Sequence, residues 1–346
     1  MKAFILRAAV FLVLVAALYA GLAAGLEFQF PTNHAQSYQY LKSIAAKQQR
    51  AKEFTTPILL FAGGPNLPYS LNSPTIENNF HLPVVNMGVA SGLGLSWVLE
   101  ELKHVADSGD MVVLAPEYYQ TASYGMQRLV PKAAPNAMHF HRVNYVKEAS
   151  VHLARTRTKL LQLLSAPGAL ASAVDTLEVQ DTTTVFTQQG DIFYNVNKPR
   201  CYHTPIGGPR WRPPTQCNSI ELLNDFAAYA AQNHIHVFYM YPVYAQQMYE
   251  KSKEVLNNYH AQDKALLDIE IIGTPTDFLY PDSCMHDSPY HLCRRASPPH
   301  TEKVIALLKN HPSAKACLQE IAAVYANNGT RKDTSWAPMV SLIKPA

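Results

Sequence analysis

The chemistry this chain could perform sits in two short stretches far apart in the sequence. The first, Asp282-Ser-Cys284-Met-His286-Asp287-Ser-Pro-Tyr290-His291-Leu-Cys293, puts a carboxylate and an imidazole on one loop. That pairing suits an acid–base relay. Asp287 would orient the ring and stabilise its charged form, while His291 removes a proton from a nucleophile. The second stretch, Pro57 to Ser73, reads PILLFAGGPNLPYSLNS, an apolar run from Ile58 to Ala62 that breaks at Gly63-Gly64-Pro65-Asn66. The nucleophile belongs on this second loop. A developing oxyanion would find donors or space at Gly64, at Gly88, and at the side-chain amides of Asn66 and Asn86. The residue at the centre is Pro65, which offers neither a hydroxyl nor a backbone N–H. Ser91 and Ser70 are the substitute hydroxyls, with Ser73 close by. Serines in such places are also common for turn and cap bonding alone.

Other reactive types give weaker patterns. Cys284-x-His286 and His291-x-Cys293 form a Cys/His cluster, but the spacing fits no familiar zinc framework, and neither a metal nor a cofactor is expected. His139 with His141 and His234 with His236 would share a face if extended. With 14 histidines in the chain, such pairs arise by chance. Glu117 ends an apolar run and is a candidate pocket residue. Tyr118, Tyr119, Tyr241, Tyr244 and Tyr290 fall near strand ends, where they suit either a carbohydrate or lipid pocket or a core with wet tips. Five cysteines fit an oxidising compartment. Cys201 with Cys217 and Cys284 with Cys293 are disulfide candidates that leave Cys317 over, although spacing does not fix connectivity. A loop of about 15 residues closed in this way is stabilised by roughly 3 kcal/mol.

The elements that must position these groups follow from periodicity. Lys2 and Arg7 precede an uncharged apolar run, Ala8 to Leu26, long enough to cross a bilayer with the rest of the chain outside the cytoplasm. It reads as a signal anchor over residues 1–27, with small residues near Ala23 that leave a cleaved signal peptide open. Residues 28–56 read as a polar juxtamembrane segment in which Ser37 to Phe54 forms a helix or stalk. From 57 onward, buried apolar runs alternate with helical patterns. Strands are expected at Ile58, His81–Asn86, Met111–Ala115, His236–Tyr241 and Leu266–Ile272. Helices are expected at Leu95–Val105, Val146–Leu164, Ser219–Asn233, Tyr244–Tyr259, Thr301–Leu308 and Ser313–Asn327. This alternation predicts an α/β domain with a parallel sheet of about five strands, whose C-terminal edge holds the site. A loop-rich insertion interrupts it at about 120–215. The net charge of +3 carries no basic run and argues against nucleic acid.

Four motifs then carry a resemblance in order: GG-x-N after the first strand, VVNMGVASGLGL after the second, GDMVVLAPEYY on the third and DSPYHL near the end. Together they resemble a secreted or membrane-anchored bacterial branch of the SGNH/GDSL hydrolase superfamily, over about Pro57–Tyr118 and His236–Leu308. The resemblance implies a flavodoxin-like, three-layer fold and acyl ester cleavage or transfer on envelope polysaccharides or lipids. It makes His291 the general base and Asp287 its partner, with Gly88 lining the oxyanion hole and Asn66 beside the nucleophile. It places the soluble domain in the periplasm, held to the bacterial inner membrane by one helix. A carbohydrate or acyl ester is the implied ligand. The chain departs from the pattern where the serine is due, at Pro65, and also at Ser70 and Asn72. The alternative expectation is a binding or scaffold protein in polysaccharide assembly that retains the site without its chemistry.

Overall fold

A computed structural model of the chain describes residues 2–29, 35–55, 57–118, 120, 127, 130–137, 185–193 and 219–328, with scattered positions from 150 to 165. The chain divides into two units, residues 1–36 with 143–182 and residues 37–142 with 183–346. In the first unit, α1 (Lys2–Gln29) is apolar all round. Its segment Phe4–Ala23 has a mean hydropathy of 2.3, none of it is buried, and it is long enough to cross a membrane. The described positions from 150 to 165 are helical, overlapping the helix expected at Val146–Leu164 and reaching Ser165 just past it.

The second unit is built on β1 (Leu59–Gly63), whose five residues are all buried. A continuous apolar strand of this kind must be covered on both faces, as it is in a parallel sheet. With β2 (Val84–Asn86), β3 (Met111–Ala115), β6 (His236–Met240) and β8 (Glu270–Ile272) it forms a five-stranded sheet in the order β2-β1-β3-β6-β8, parallel throughout. The strand order reverses between β1 and β3. In an open α/β sheet the crevice at such a reversal, outside the carboxyl ends of the strands, is where ligands bind.

Helices follow the strands. After β1 come α3 (Asn66–Ser70) and α4 (Ser73–Phe80), and α5 (Leu95–Val105) follows β2. A short α6 (Val130–Ala133) follows β3. In the C-terminal half lie α7 (Ser219–Gln232), α8 (Gln246–Leu266), α9 (Ser297–Asn310) and α10 (Pro312–Asn328). Two of these boundaries correct the sequence reading. Tyr244–Ala245 is not helical but forms β7, which pairs with β9 (Leu279–Tyr280). Leu266 closes α8 instead of opening the last strand. Short apolar runs fit a helix end and a strand equally well, and tertiary pairing decides.

The segment expected as a polar stalk is instead part of the domain. The helix α2 (Ala35–Lys52) buries Leu41, Ile44 and Ala51 in the same core as β1 and β3. Its polar residues turn inward too. Arg50 pairs with Glu77 at 2.6 Å, and Lys47 Nζ donates to the carbonyl of Gly88. A hairpin inside the expected insertion forms a separate two-stranded sheet that docks on the same unit. Strands β4 (Val185–Phe186) and β5 (Ile192–Phe193) turn at Gly190, where φ is +99°. Asn86 N–H donates to Gln189 O at 2.7 Å, so this hairpin meets a backbone donor at the β2 edge.

Candidate functional site

The crevice at the strand-order reversal is shaped first by close backbone approach. A Cβ on Gly63 would stand 2.3 Å from Ala115 O, so only glycine lets β1 run this close to the end of β3. A Cβ on Gly64 would stand 2.7 Å from Glu117 Cγ and 2.9 Å from Gln120 Oε1. Glu117 therefore lies directly against the loop that carries Pro65. Pro65 sits in the right-handed helical region (φ −66°) as the N-cap of α3, a conformation proline favours. Asn66 is pinned across the crevice: its N–H donates to Glu117 Oε1 at 3.1 Å and its Nδ2 to Ala115 O at 3.1 Å.

The C-terminal loop meets the same place. His291 Nδ1 lies 2.6 Å from Asp287 Oδ1. The ring stacks on Tyr69 of α3, with centroids 4.0 Å apart and planes 9° apart. His291 and Asp287 also lie close enough to Glu117 to bias its titration. Three elements thus converge: the loop and helix after β1, the residue after β3, and the loop before α9. Burial pushes the Glu117 carboxyl up to about 7, opposed mainly by the charge of His291. Two buried polar atoms flank this carboxyl without a partner among the described residues, Asn66 Oδ1 and Gln120 Nε2. Their orientation is set by the opposite ends of the same amides, since Asn66 Nδ2 donates to Ala115 O and Gln120 Oε1 accepts from Glu117 N–H. Such atoms cost about 1–3 kcal/mol each when left unbonded.

Several candidates stand elsewhere or are already engaged. The Ser70 hydroxyl donates to Asn66 O at 2.6 Å and the Ser73 hydroxyl to Asp191 Oδ1 at 2.7 Å, so both protons are committed. Ser91 opens a 3-10 turn (Ser91–Leu93), and no hydrogen bond joins it to His291. Gly88 N–H donates to Asn86 Oδ1 at 3.1 Å, and Asn86 Nδ2 donates to Asp191 Oδ1 at 2.8 Å. These two expected oxyanion donors therefore hold the structure together. Gly88 is needed for packing instead, because a Cβ there would meet Pro68 Cδ at 2.4 Å.

The cysteine pairing also differs. Cys293 is disulfide-bonded while Cys284 and Cys317 are free thiols. The local pair Cys284–Cys293 is therefore not formed, and the partner of Cys293 lies outside the described residues. So do Cys201, Cys217, His139, His141 and Tyr119. His234 and His236 are exposed, and no group of three or more potential metal ligands occurs among the described residues.

The tyrosines form a wall beside the site. Tyr118 packs edge-on against Tyr244 at 5.2 Å and tilted against Tyr290 at 6.4 Å. Its hydroxyl meets His260 Nε2 at 2.9 Å, and Tyr241 packs on the same imidazole at 4.8 Å. Sequence reading missed His260 and Asp263. Both lie on α8, one turn apart, among residues that look like an ordinary solvated face. Burial lowers His260 to about 4 and raises Asp263 to about 7. A separate groove of about 430 Å³ opens at the other end of the sheet, by His236, Glu270 and Cys317, and holds none of the relay.

No protein-family model, curated protein or solved structure matches this chain.

Proposed function

We propose that this chain is an extracytoplasmic relative of the SGNH acyl esterases and acyltransferases in which serine chemistry has been lost. On this reading its flavodoxin-like domain engages acyl-bearing envelope glycans or lipids while α1 anchors it to the membrane. One observation carries the reading: His291, with Asp287 on its Nδ1, stacks on the helix whose N-cap is Pro65. On this reading the base and its orienting acid meet the helix that follows the residue from which a nucleophile would act, and that residue has no hydroxyl. The unbonded amide atoms of Asn66 and Gln120 support a polar ligand beside Glu117 over a purely structural cluster.

The direct test restores the hydroxyl. Pro65 lies in the right-handed helical region, which serine also adopts without strain, so Pro65→Ser fits the local backbone. It is expected to give p-nitrophenyl acetate hydrolysis about a hundredfold above the parent protein, together with labelling by a fluorophosphonate. Both should vanish in Pro65→Ser/His291→Ala. A folded Pro65→Ser protein with neither activity would refute the reading. Labelling of the unmodified chain would instead reveal a hydroxyl nucleophile other than residue 65.

A further inference from the structure

Two of the tyrosines near the strand ends meet a histidine and a carboxylate in a cluster whose polar groups the fold leaves largely unbonded. Tyr118 lies just past β3 and Tyr241 directly follows β6, so two neighbouring parallel strands deliver both phenols at their carboxyl ends. His260 and Asp263 meet them from α8, where a spacing of three puts both on one face. The Tyr118 hydroxyl stands 2.9 Å from His260 Nε2, and the Tyr241 ring packs on the same imidazole. The Tyr241 hydroxyl is buried and has no hydrogen-bond partner among the described residues. The Asp263 carboxyl, on a residue only 7% exposed, has none among them either, and it lies close enough to both phenols to bias their titration. Tyr249 also packs on His260 but is satisfied, since its hydroxyl donates to Asn257 Oδ1 at 2.9 Å. A carboxylate held in the interior without a donor is costly, and a cation that binds it removes that cost.

We propose that Tyr118, Tyr241, His260 and Asp263 form a binding site for ferric iron. Counted as histidine and carboxylate alone the cluster holds two ligands, and the phenols supply the other two. Two phenolates and one carboxylate carry three negative charges, which a trivalent cation cancels; a divalent one would leave a net charge in a largely buried place. Burial and the charge of Asp263 both raise the phenols, so only a strongly charged, hard ion displaces their protons to water. His260 needs no deprotonation, because burial lowers it to about 4 and its ring is neutral at pH 7. Two donor atoms bound to one ion at about 2.0–2.2 Å and at right angles stand about 2.9 Å apart, the separation of the Tyr118 hydroxyl and His260 Nε2. Tyr118 is half-buried, so the cluster reaches the surface through it.

The test uses the full-length protein in detergent, titrated with ferric nitrilotriacetate at neutral pH and followed by visible absorption and resonance Raman spectroscopy. One ferric ion per chain is expected, with a phenolate-to-iron charge-transfer band and phenolate ring modes. Tyr118→Phe, Tyr241→Phe and Asp263→Asn should each weaken binding about tenfold or more. Tyr280→Phe removes the hydroxyl of a second tyrosine–histidine contact, 2.9 Å from His300 Nδ1, and should leave the titration unchanged. A folded parent protein that shows no such band overturns the proposal, as does a band whose titration is the same in Tyr118→Phe and Tyr241→Phe as in the parent. The outcome is independent of whether Pro65→Ser gains esterase activity.

Discussion

Glu117 is the residue whose surroundings say most about the crevice. Its carboxyl is buried against Gly64, accepts from Asn66 N–H, and titrates near 7 because desolvation outweighs the charge of His291. Between about pH 4.5 and 7 the folded chain holds a proton there that the unfolded chain has released. The stabilisation is complete below the lower value and is lost as pH rises through the upper one. Glu117→Gln keeps the acceptor for Asn66 and removes the titration. Calorimetric Tm measured from pH 5 to pH 7.5 should therefore fall less steeply in Glu117→Gln than in the parent. Equal slopes would mean that the carboxyl is solvated. Gly64→Ala is a steric counterpart. A Cβ 2.7 Å from Glu117 Cγ forces the carboxylate aside, and a loss of about 1–3 kcal/mol in chemical denaturation is expected.

At the scale of elements, the β4–β5 hairpin is what the sheet edge depends on. Asp191 accepts from Ser73 N–H at 2.6 Å, the Ser73 hydroxyl at 2.7 Å and Asn86 Nδ2 at 2.8 Å, so one carboxylate ties the hairpin to the start of α4 and the end of β2. Lys47 of α2 acts on the same corner. Burial lowers it to about 7, while the charges of Glu101 and Asp191 pull the other way. Asp191→Ala leaves three donors without their acceptor and should cost about 3 kcal/mol in urea unfolding. Asp191→Asn, which retains an acceptor oxygen, should cost less. Hydrogen exchange at Asn86, whose amide is bonded to Gln189, should accelerate in the alanine variant, and an unchanged rate would show that the hairpin docks without Asp191. The same corner shows why α2 was read as a stalk: Lys47, Gln48 and Arg50 resemble a solvated face until their inward partners are known.

At the scale of the molecule, α1 and the α/β unit carry separate instructions. Phe4–Ala23 is long and apolar enough to cross a bilayer. The α/β unit has its own continuous core from α2 to α10. Removing residues 1–34 should therefore move the protein from the membrane to the soluble fraction on ultracentrifugation without changing the Tm of the remaining domain. A fall in Tm, or continued sedimentation with membranes, would contradict that division.

Local sequence was sufficient where a signal repeats within a few residues. Apolar runs specified β1 and β3, apolar spacing specified α5, and the uncharged run specified α1, because each buries or exposes a face through its own composition. The pairing of Asp287 with His291 was legible for the same reason, both lying on one short loop. Only the tertiary structure set the order in which five parallel strands lie side by side, since that arrangement depends on contacts between distant segments. It alone brought Tyr69 onto His291, set Glu117 against Gly64 and turned Lys47 and Asp191 inward. It also bonded Asn86 and Gly88 to the framework where sequence reading had left them as oxyanion donors. Polar residues look alike in sequence whether water or a buried partner satisfies them, and only folding decides which.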